Sequence, residues 1–549
     1  MRKKNKIWLS GIGVVVIFAA WHYLDVRAGA AASGHTWLLG NYGWLFAAVC
    51  VFLAVFGRLL WSSEKGLEYV YAAAGLSLGI LYMMVLPPLS APDEISHYIS
   101  AYELSSHLLG QPSNSCSGHV LVRAQDMWLE DVGGNYEYEM GQDGYLRVKE
   151  GTSDKAWVLG ETLTEETYKE IHDLGLTGRR YPGTSDEREK NARFVSVYPP
   201  VVTTPAGHFP QALGVAFARS LHLNSLGLVY MGRFFNLVFF VAMTALSIRR
   251  LPFGKEVMFG TALLPMTLHL SASFSYDVMI MGCMFYLTAL CLDLAYEKEK
   301  ATLWDVAVLA ALMAAAGPCK MVYGVLMGLC LLIPVKKFGN WKKWALSAMA
   351  VGLAWGLAMA AVNTKTILTY ATETESYVPW AQEAGYSLTY LIHNPMELIR
   401  MFYQTLLWQM EHYHLTMMGA YLGNLDQVLD VPYILILFFT VCLLCLALKK
   451  PGESQRMSKG NRIWIYVLCL GCTAAILLSM LIAWTTVSSP VISGVQGRYF
   501  LPILPILLMA VKNDAIILTK NGNRSILYLM CCTNGYVLLR LYSVVSMRL

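Results

Sequence analysis

The sequence predicts an all-α polytopic membrane protein, and three observations predict it. Hydrophobic residues make up 56% of the 549-residue chain and charged ones only 14%, against roughly 25% in a typical soluble domain. Apolar runs near or beyond the roughly 20 residues that cross a bilayer recur along its whole length. The basic residues gather at the ends of those runs, so the net charge of +5 carries no argument for a nucleic-acid partner. The expected architecture is a bundle of about 13 transmembrane helices with a large extracytoplasmic loop after the third.

Hydrophobic patterning sets the spans at Ile7–Leu24, Trp37–Phe56, Tyr69–Leu86, Leu226–Leu246, Val257–Leu270, Val278–Leu294 and Leu303–Ala316. Met321–Val335, Trp344–Val362, Val431–Leu448, Ile463–Trp484, Phe500–Val511 and Ile526–Val545 complete the set. At the start, Arg2-Lys3-Lys4, an apolar core and the small residues Ala28–Ala32 imitate a signal peptide. The apolar run continues to Leu24, beyond a usual signal core, and reads as an uncleaved helix. Leu303–Val335 as one helix would run roughly 50 Å, too long for the bilayer core. Gly317-Pro318 breaks it into a hairpin whose tip carries Lys320.

Orientation follows from lysine and arginine in the short connections. An N-terminus inside puts Arg58, Lys65, Arg249, Arg250, Lys255, Lys298 and Lys300 in the cytoplasm. Lys336 to Lys343, Lys449 to Arg462 with Arg456 among them, Lys520 and Arg524 follow on the same side. The short outer connections carry little beyond Arg27, Lys320 and Arg498. In chain order the spans form an N-terminal pair (1–66), a long middle section (67–511) and a last span (512–549). The middle section includes outer segments 89–225 and 363–430. The first has Gly-rich turns and mixed charge, the composition of a small folded unit. It closes on a semi-apolar helix, Gln211–Leu223, expected against the membrane surface. Cysteines sit mostly inside apolar runs, Cys442 and Cys445 included, and read as packing residues.

The chemistry concentrates after the third span, in Pro87-Pro88-Leu89-Ser90-Ala91-Pro92-Asp93-Glu94-Ile95-Ser96-His97. The prolines stop one helix, and Asp93 is placed to cap the next, one turn from His97. Charged side chains at the mouth of a span need water, a partner or a metal, and they often mark function. Asp277 in an outer turn, Lys320 on the hairpin and Arg498 after Gly494-Val495-Gln496-Gly497 reach the same level. Arg233 lies inside the fourth span near its outer end. Cations there suit a phosphate-bearing substrate, and a carboxylate can take a hydroxyl proton. Plainer readings stand beside these: Arg233 as a helix lock, Lys320 in lipid headgroups, Asp277 as a helix cap, and His97, His208 and His412 as packing or headgroup contacts.

The motif Pro92-Asp93-Glu94-x-x-His97 after a double proline resembles the signature of a bacterial membrane-protein family, domain of unknown function 2142. Further pieces match in order: Tyr198-Pro199-Pro200, Tyr230-x-Gly232-Arg233-x-x-Asn236, Pro265-Met266, Ser275-Tyr276-Asp277, and Lys320 with Tyr323. Leu422-Gly423-x-Leu425-Asp426 and Gly494-Val495-Gln496-Gly497-Arg498-Tyr499-Phe500-x-Pro502 complete them. Asn424 and Ile95 depart from the pattern. That family is similar to the GT-C membrane glycosyltransferases. The resemblance implies an inverting transfer of a sugar from a polyprenyl-phosphate donor to an envelope glycan or lipid acceptor, at the outer face of the plasma membrane. It implies Asp93 as the general base, with Glu94 and His97 orienting the acceptor. It implies Arg233, Tyr276, Asp277, Lys320, Gln496, Arg498 and Tyr499 as binders of substrate and phosphate. The pattern requires no cofactor; it allows a divalent cation, Mg or Mn, on Asp93 and Glu94, with Glu94 and His97 binding the ion in place of orienting the acceptor. The alternatives are a lipid-linked glycan flippase and a non-catalytic polysaccharide-assembly protein.

Overall fold

The computed structural model describes residues 2–62, 66–149, 151, 157–181, 192–372, 376–454 and 457–549. Lys65 and Arg456 lie outside them. Helices α1 (Arg2–Ser33), α2 (Trp37–Ser62) and α3 (Leu67–Val85) open the chain. Helix α3 stops where Leu86 turns extended before Pro87, because a proline disfavours helical backbone in the residue before it. Helix α4 (Glu94–Leu108) follows, then an extramembrane unit with strands β1 (Leu121–Arg123), β2 (Tyr138–Met140), β3 (Leu146–Val148), helix α5 (Glu165–Leu174) and β4 (Arg193–Val195). Its sheet runs β1-β4-β3-β2, with β3 and β4 parallel and the outer pairs antiparallel. The unit has its own core, in which Tyr98, Tyr102, Trp128, Leu129 and Phe194 are buried. The sequence reading of a folded unit there agrees with this.

Helices α6 (Phe209–Ser220) and α7 (Ser225–Arg250) come next, then α8 (Lys255–Ala262), α9 (Pro265–Ser271), α10 (Asp277–Tyr296) and α11 (Leu303–Ala316). The chain continues through a 3-10 helix, Met321–Leu332, into α12 (Trp341–Thr372), α13 (Leu388–His393) and α14 (Pro395–Met418). It closes with α15 (Tyr433–Ala447), α16 (Lys459–Trp484), α17 (Leu504–Val511) and α18 (Asn523–Met547). Seven helices among the described residues are long and apolar enough to cross a membrane: α1, α2, α3, α7, α10, α12 and α16. The protein is an all-α, multi-pass membrane protein.

Of the remaining expected spans, Ile526–Val545 is one continuous helix, α18, of 25 residues, and the others are shorter or broken. Val257–Leu270 splits into α8 and α9 because Pro265 cannot donate to a continuing helix. Phe500–Val511 splits at Pro502 into a 3-10 turn and α17. The hairpin over Leu303–Val335 is present, but its second arm is a 3-10 helix of 12 residues. At about 2 Å per residue that arm reaches about 24 Å, longer than an α-helix of the same length. Its buried residues, Tyr323, Leu326, Leu329 and Leu332, fall every third position, the period at which 3-10 side chains align. Helix α6 packs against α4 and α7 on one face and exposes Phe209, Leu213, Phe217 and Leu221 along the other.

Charge clusters mark the two ends of α10. At one end Asp293 pairs with Arg250 at 2.6 Å, and Asp305 on α11 joins Arg250 and Lys298. Asp277 begins the other end. Sixteen positions of helix separate Asp277 from Asp293, or about 24 Å at 1.5 Å per residue. Asp93, His97, Tyr276, Lys320, Arg498 and Tyr499 gather at the Asp277 end.

Candidate functional site

The turn Ala272–Tyr276 is held from behind by buried polar side chains. Arg233 on α7 is fully buried and donates from Nε to the Ala272 carbonyl at 2.5 Å and from Nη2 to the Leu86 carbonyl at 2.9 Å. Asn236, one turn on, donates to the Ser273 carbonyl at 2.7 Å. Gln211 donates to the carbonyls of Phe274 and Ser275 at 3.2 and 3.3 Å. Glu94, 1% exposed, accepts from the Phe274 amide at 2.9 Å and the Ala91 amide at 2.9 Å. Its carboxylate lies 3.6 Å from Arg233 Nε. A buried arginine and glutamate that satisfy one another and five main-chain groups, the Met83 carbonyl included, are a brace, since either charge alone would be costly there.

This corrects two expectations. Glu94 does not face a substrate cavity with Asp93, and Arg233 has no face open to a phosphate. The reason lies at Asp93, whose backbone is left-handed (φ 57°) and whose side chain makes no capping hydrogen bond. Adjacent carboxylates therefore diverge, Glu94 inward and Asp93 outward. The pair does not fit the expected divalent cation. Among the described residues, no group of three or more His, Cys, Asp or Glu is placed to hold a metal ion.

In front of the brace, residues far apart in the chain meet. Asp277 accepts from Lys320 Nζ at 2.7 Å and lies 3.4 Å from Arg498 Nε. Arg498 Nη2 reaches Asp93 Oδ2 at 3.3 Å. Asp277 and Arg498 are 10% and 4% exposed, but the Asp93 side chain is 72% exposed. The Lys320 ammonium lies 4.0 Å from the Tyr499 ring centre and 5.3 Å from that of Tyr276, a cation–π setting. Lys320 is thus neither free nor immersed in headgroups. Arg498 Nε, 3.4 Å from Asp277, and Nη1 are buried and make no hydrogen bond. Gln496 Oε1 is likewise buried without a partner.

Arg498 is aimed by its neighbour. Gly497 presses on the main chain of α14 at Tyr413 and Met417, where a Cβ has no room, and its amide donates to Thr416 Oγ1 at 2.9 Å. Tyr323, from the 3-10 arm, donates to the Tyr499 carbonyl at 2.8 Å. The arm that carries Lys320 and the turn that carries Arg498 are fastened together.

His97 sits on α4 with its ring 4.8 Å from Tyr276, and its Nδ1 lies 3.0 Å from His208 Nε2. Burial, with His208, Arg498 and Lys320 nearby, holds the His97 imidazole well below its ordinary pKa. Burial alone drops His208 to about 3. The pair is neutral at pH 7 and shares one N–H between the two rings. From the sequence His208 reads as a packing residue or headgroup contact; nothing in the sequence points from position 97 to 208, and no motif marks Gln211 as a support for this turn.

A family model described as "Predicted membrane protein (DUF2142)" matches residues 76–507. No curated protein and no solved structure matches the chain.

Proposed function

We infer that this chain, which belongs to the DUF2142 family of predicted membrane proteins, is an inverting membrane glycosyltransferase that uses a polyprenyl-phosphate sugar donor. The observation that carries the reading is one exposed carboxylate, Asp93, beside a buried Arg498 and a half-buried Lys320, both cations set by Asp277. A base that must touch an acceptor needs exposure, and cations that must hold a phosphate need fixed positions.

The acceptor hydroxyl oxygen attacks the anomeric carbon while the bond from that carbon to the phosphate oxygen breaks. The bonding pair leaves with the polyprenyl phosphate, and the hydroxyl proton passes to Asp93. Arg498 and Lys320 stabilise the charge that develops on the phosphate. Asp277 sets the two cations, with Tyr276 and Tyr499 flanking Lys320. His97, kept neutral, offers a ring N–H or lone pair to a sugar hydroxyl. Glu94 and Arg233 hold the turn that carries Tyr276 and Asp277. The cluster faces the extracytoplasmic side of the plasma membrane, because the lysine-rich connections lie at the other end of the bundle.

The test is reconstitution of the purified protein in vesicles with a radiolabelled polyprenyl-phosphate sugar and envelope membranes as acceptor source. Label entering the acceptor, with release of polyprenyl phosphate, is the expected result. Donor that crosses the bilayer with its sugar still attached would replace this reading with a flippase.

A further inference from the structure

A second cavity, of about 320 Å³, opens in the extramembrane unit at the far end of α4. Arg123, Arg179, Arg193 and Arg219 line it, and none of its lining residues is acidic. Arg219 is 7% exposed and has only neutral partners: Ser105 at 2.7 Å, Ser106 at 2.8 Å and Gln111 at 2.6 Å. Its guanidinium lies 4.4 Å from the Tyr102 ring centre. Arg193 donates to the Pro112 carbonyl at 2.6 Å, and Arg179 to the His222 carbonyl at 3.3 Å. Arg123 has a carboxylate partner, Asp126, at 2.6 Å.

The contrast with the first site is one of charge. There, two cations face two carboxylates. Here, four guanidinium groups line the cavity, and the carboxylate paired with one of them, Asp126 on Arg123, also accepts from Tyr102 and Ser225. Three positive charges crowd a concave wall without a counter-charge among the described residues. Planar, always-charged donors in such a wall match a carboxylate or phosphate group. Helix α4 joins the two sites: Asp93 precedes its first residue and Tyr102 lies nine positions on, about 14 Å at 1.5 Å per residue.

We propose that this arginine-lined cavity binds an acidic group, a carboxylate or a phosphate, on the glycan acceptor, at a distance from the hydroxyl that reacts. The proposal rests on the transferase reading for the word acceptor; the anion site itself does not. It makes the acceptor an anionic glycan, gripped through its charge while a neighbouring unit reaches Asp93.

The test reads individual arginines. The full-length protein in detergent is labelled with phenylglyoxal, which reacts with free guanidinium groups, and labelling at Arg179 and Arg193 is followed by peptide mass spectrometry. D-glucuronate and inorganic phosphate are the probes, with D-glucose and sodium chloride of equal ionic strength as controls. A probe at about four times its Kd lowers labelling about fivefold, since occupancy follows 1 + [L]/Kd. Protection by glucuronate alone assigns a uronate-type acceptor, and protection by phosphate alone a phosphate-bearing one. Arg219→Gln abolishes protection at Arg193; should that variant misfold, Arg179→Gln, at the rim, weakens it in its place. Asp93→Asn retains protection whatever happens to sugar transfer, which separates this inference from the transferase reading. Equal labelling with and without the anions, or equal protection by glucose or chloride, overturns it.

Discussion

Asp277 and Lys320 meet at 2.7 Å across 43 positions of chain, and the same carboxylate lies 3.4 Å from Arg498. One acidic side chain thus fixes both cations of the site. Asp277→Asn removes the charge and keeps the shape. Donor binding in a vesicle assay should fall about tenfold or more, because the buried Arg498 and the half-buried Lys320 lose their shared counter-ion, and stability should fall by about 3 kcal/mol. Wild-type donor affinity in this variant would show that the cations do not depend on Asp277.

Glu94 and Arg233 should behave as structural residues. Arg233→Met strands a buried carboxylate and should cost about 3–5 kcal/mol, read as a lower melting temperature in detergent. The double variant Glu94→Gln/Arg233→Met should recover much of that loss, since no unpaired charge remains. If Glu94→Gln instead keeps full stability and loses transfer, the glutamate belongs to the chemistry.

Gly497 tests how Arg498 is aimed. A methyl group there meets the Tyr413 carbonyl of α14, main chain that cannot swing aside. Gly497→Ala should push the Gly497–Phe500 turn away at a cost of about 2 kcal/mol. Transfer should drop while α4 and its exposed Asp93 are undisturbed.

A pH effect follows from Glu130 in the extramembrane unit. It is fully buried, accepts from Ser196 Oγ and the Val197 amide, and burial raises it to about 7. A carboxyl raised on folding binds its proton more tightly in the folded state, so its contribution is full below the unfolded value of 4.5 and is lost as pH rises through 7. Between pH 6 and 8 the loss is about 1 kcal/mol. Glu130→Gln should remove that increment, so its stability relative to wild type should rise over this interval. Parallel melting curves for the two proteins would refute the assignment.

Much of the site could be read from the sequence because charge near a membrane is rare. Asp93, Asp277, Lys320 and Arg498 stand out against apolar runs, and the Gly317-Pro318 break set Lys320 at a hairpin tip. What the sequence does not carry is direction. Asp93 and Glu94 are neighbours, yet the left-handed turn at Asp93 sends them to opposite sides. The partnership of His97 with His208, and of Gln211 with the Phe274 carbonyl, depends on packing between distant segments. The 3-10 arm is a different case. Its apolar residues at 323, 326, 329 and 332 recur every third position, a period visible in the sequence but hidden inside a run that is apolar throughout.

Asp93 bears the central assignment, and Asp93→Asn isolates it by keeping size and hydrogen-bonding shape while removing the base. Single-turnover sugar transfer from bound polyprenyl-phosphate donor should fall at least about a hundredfold, the usual contribution of general-base catalysis, with donor affinity little changed. Transfer at the wild-type rate by the asparagine variant would contradict the assignment of Asp93 as the base.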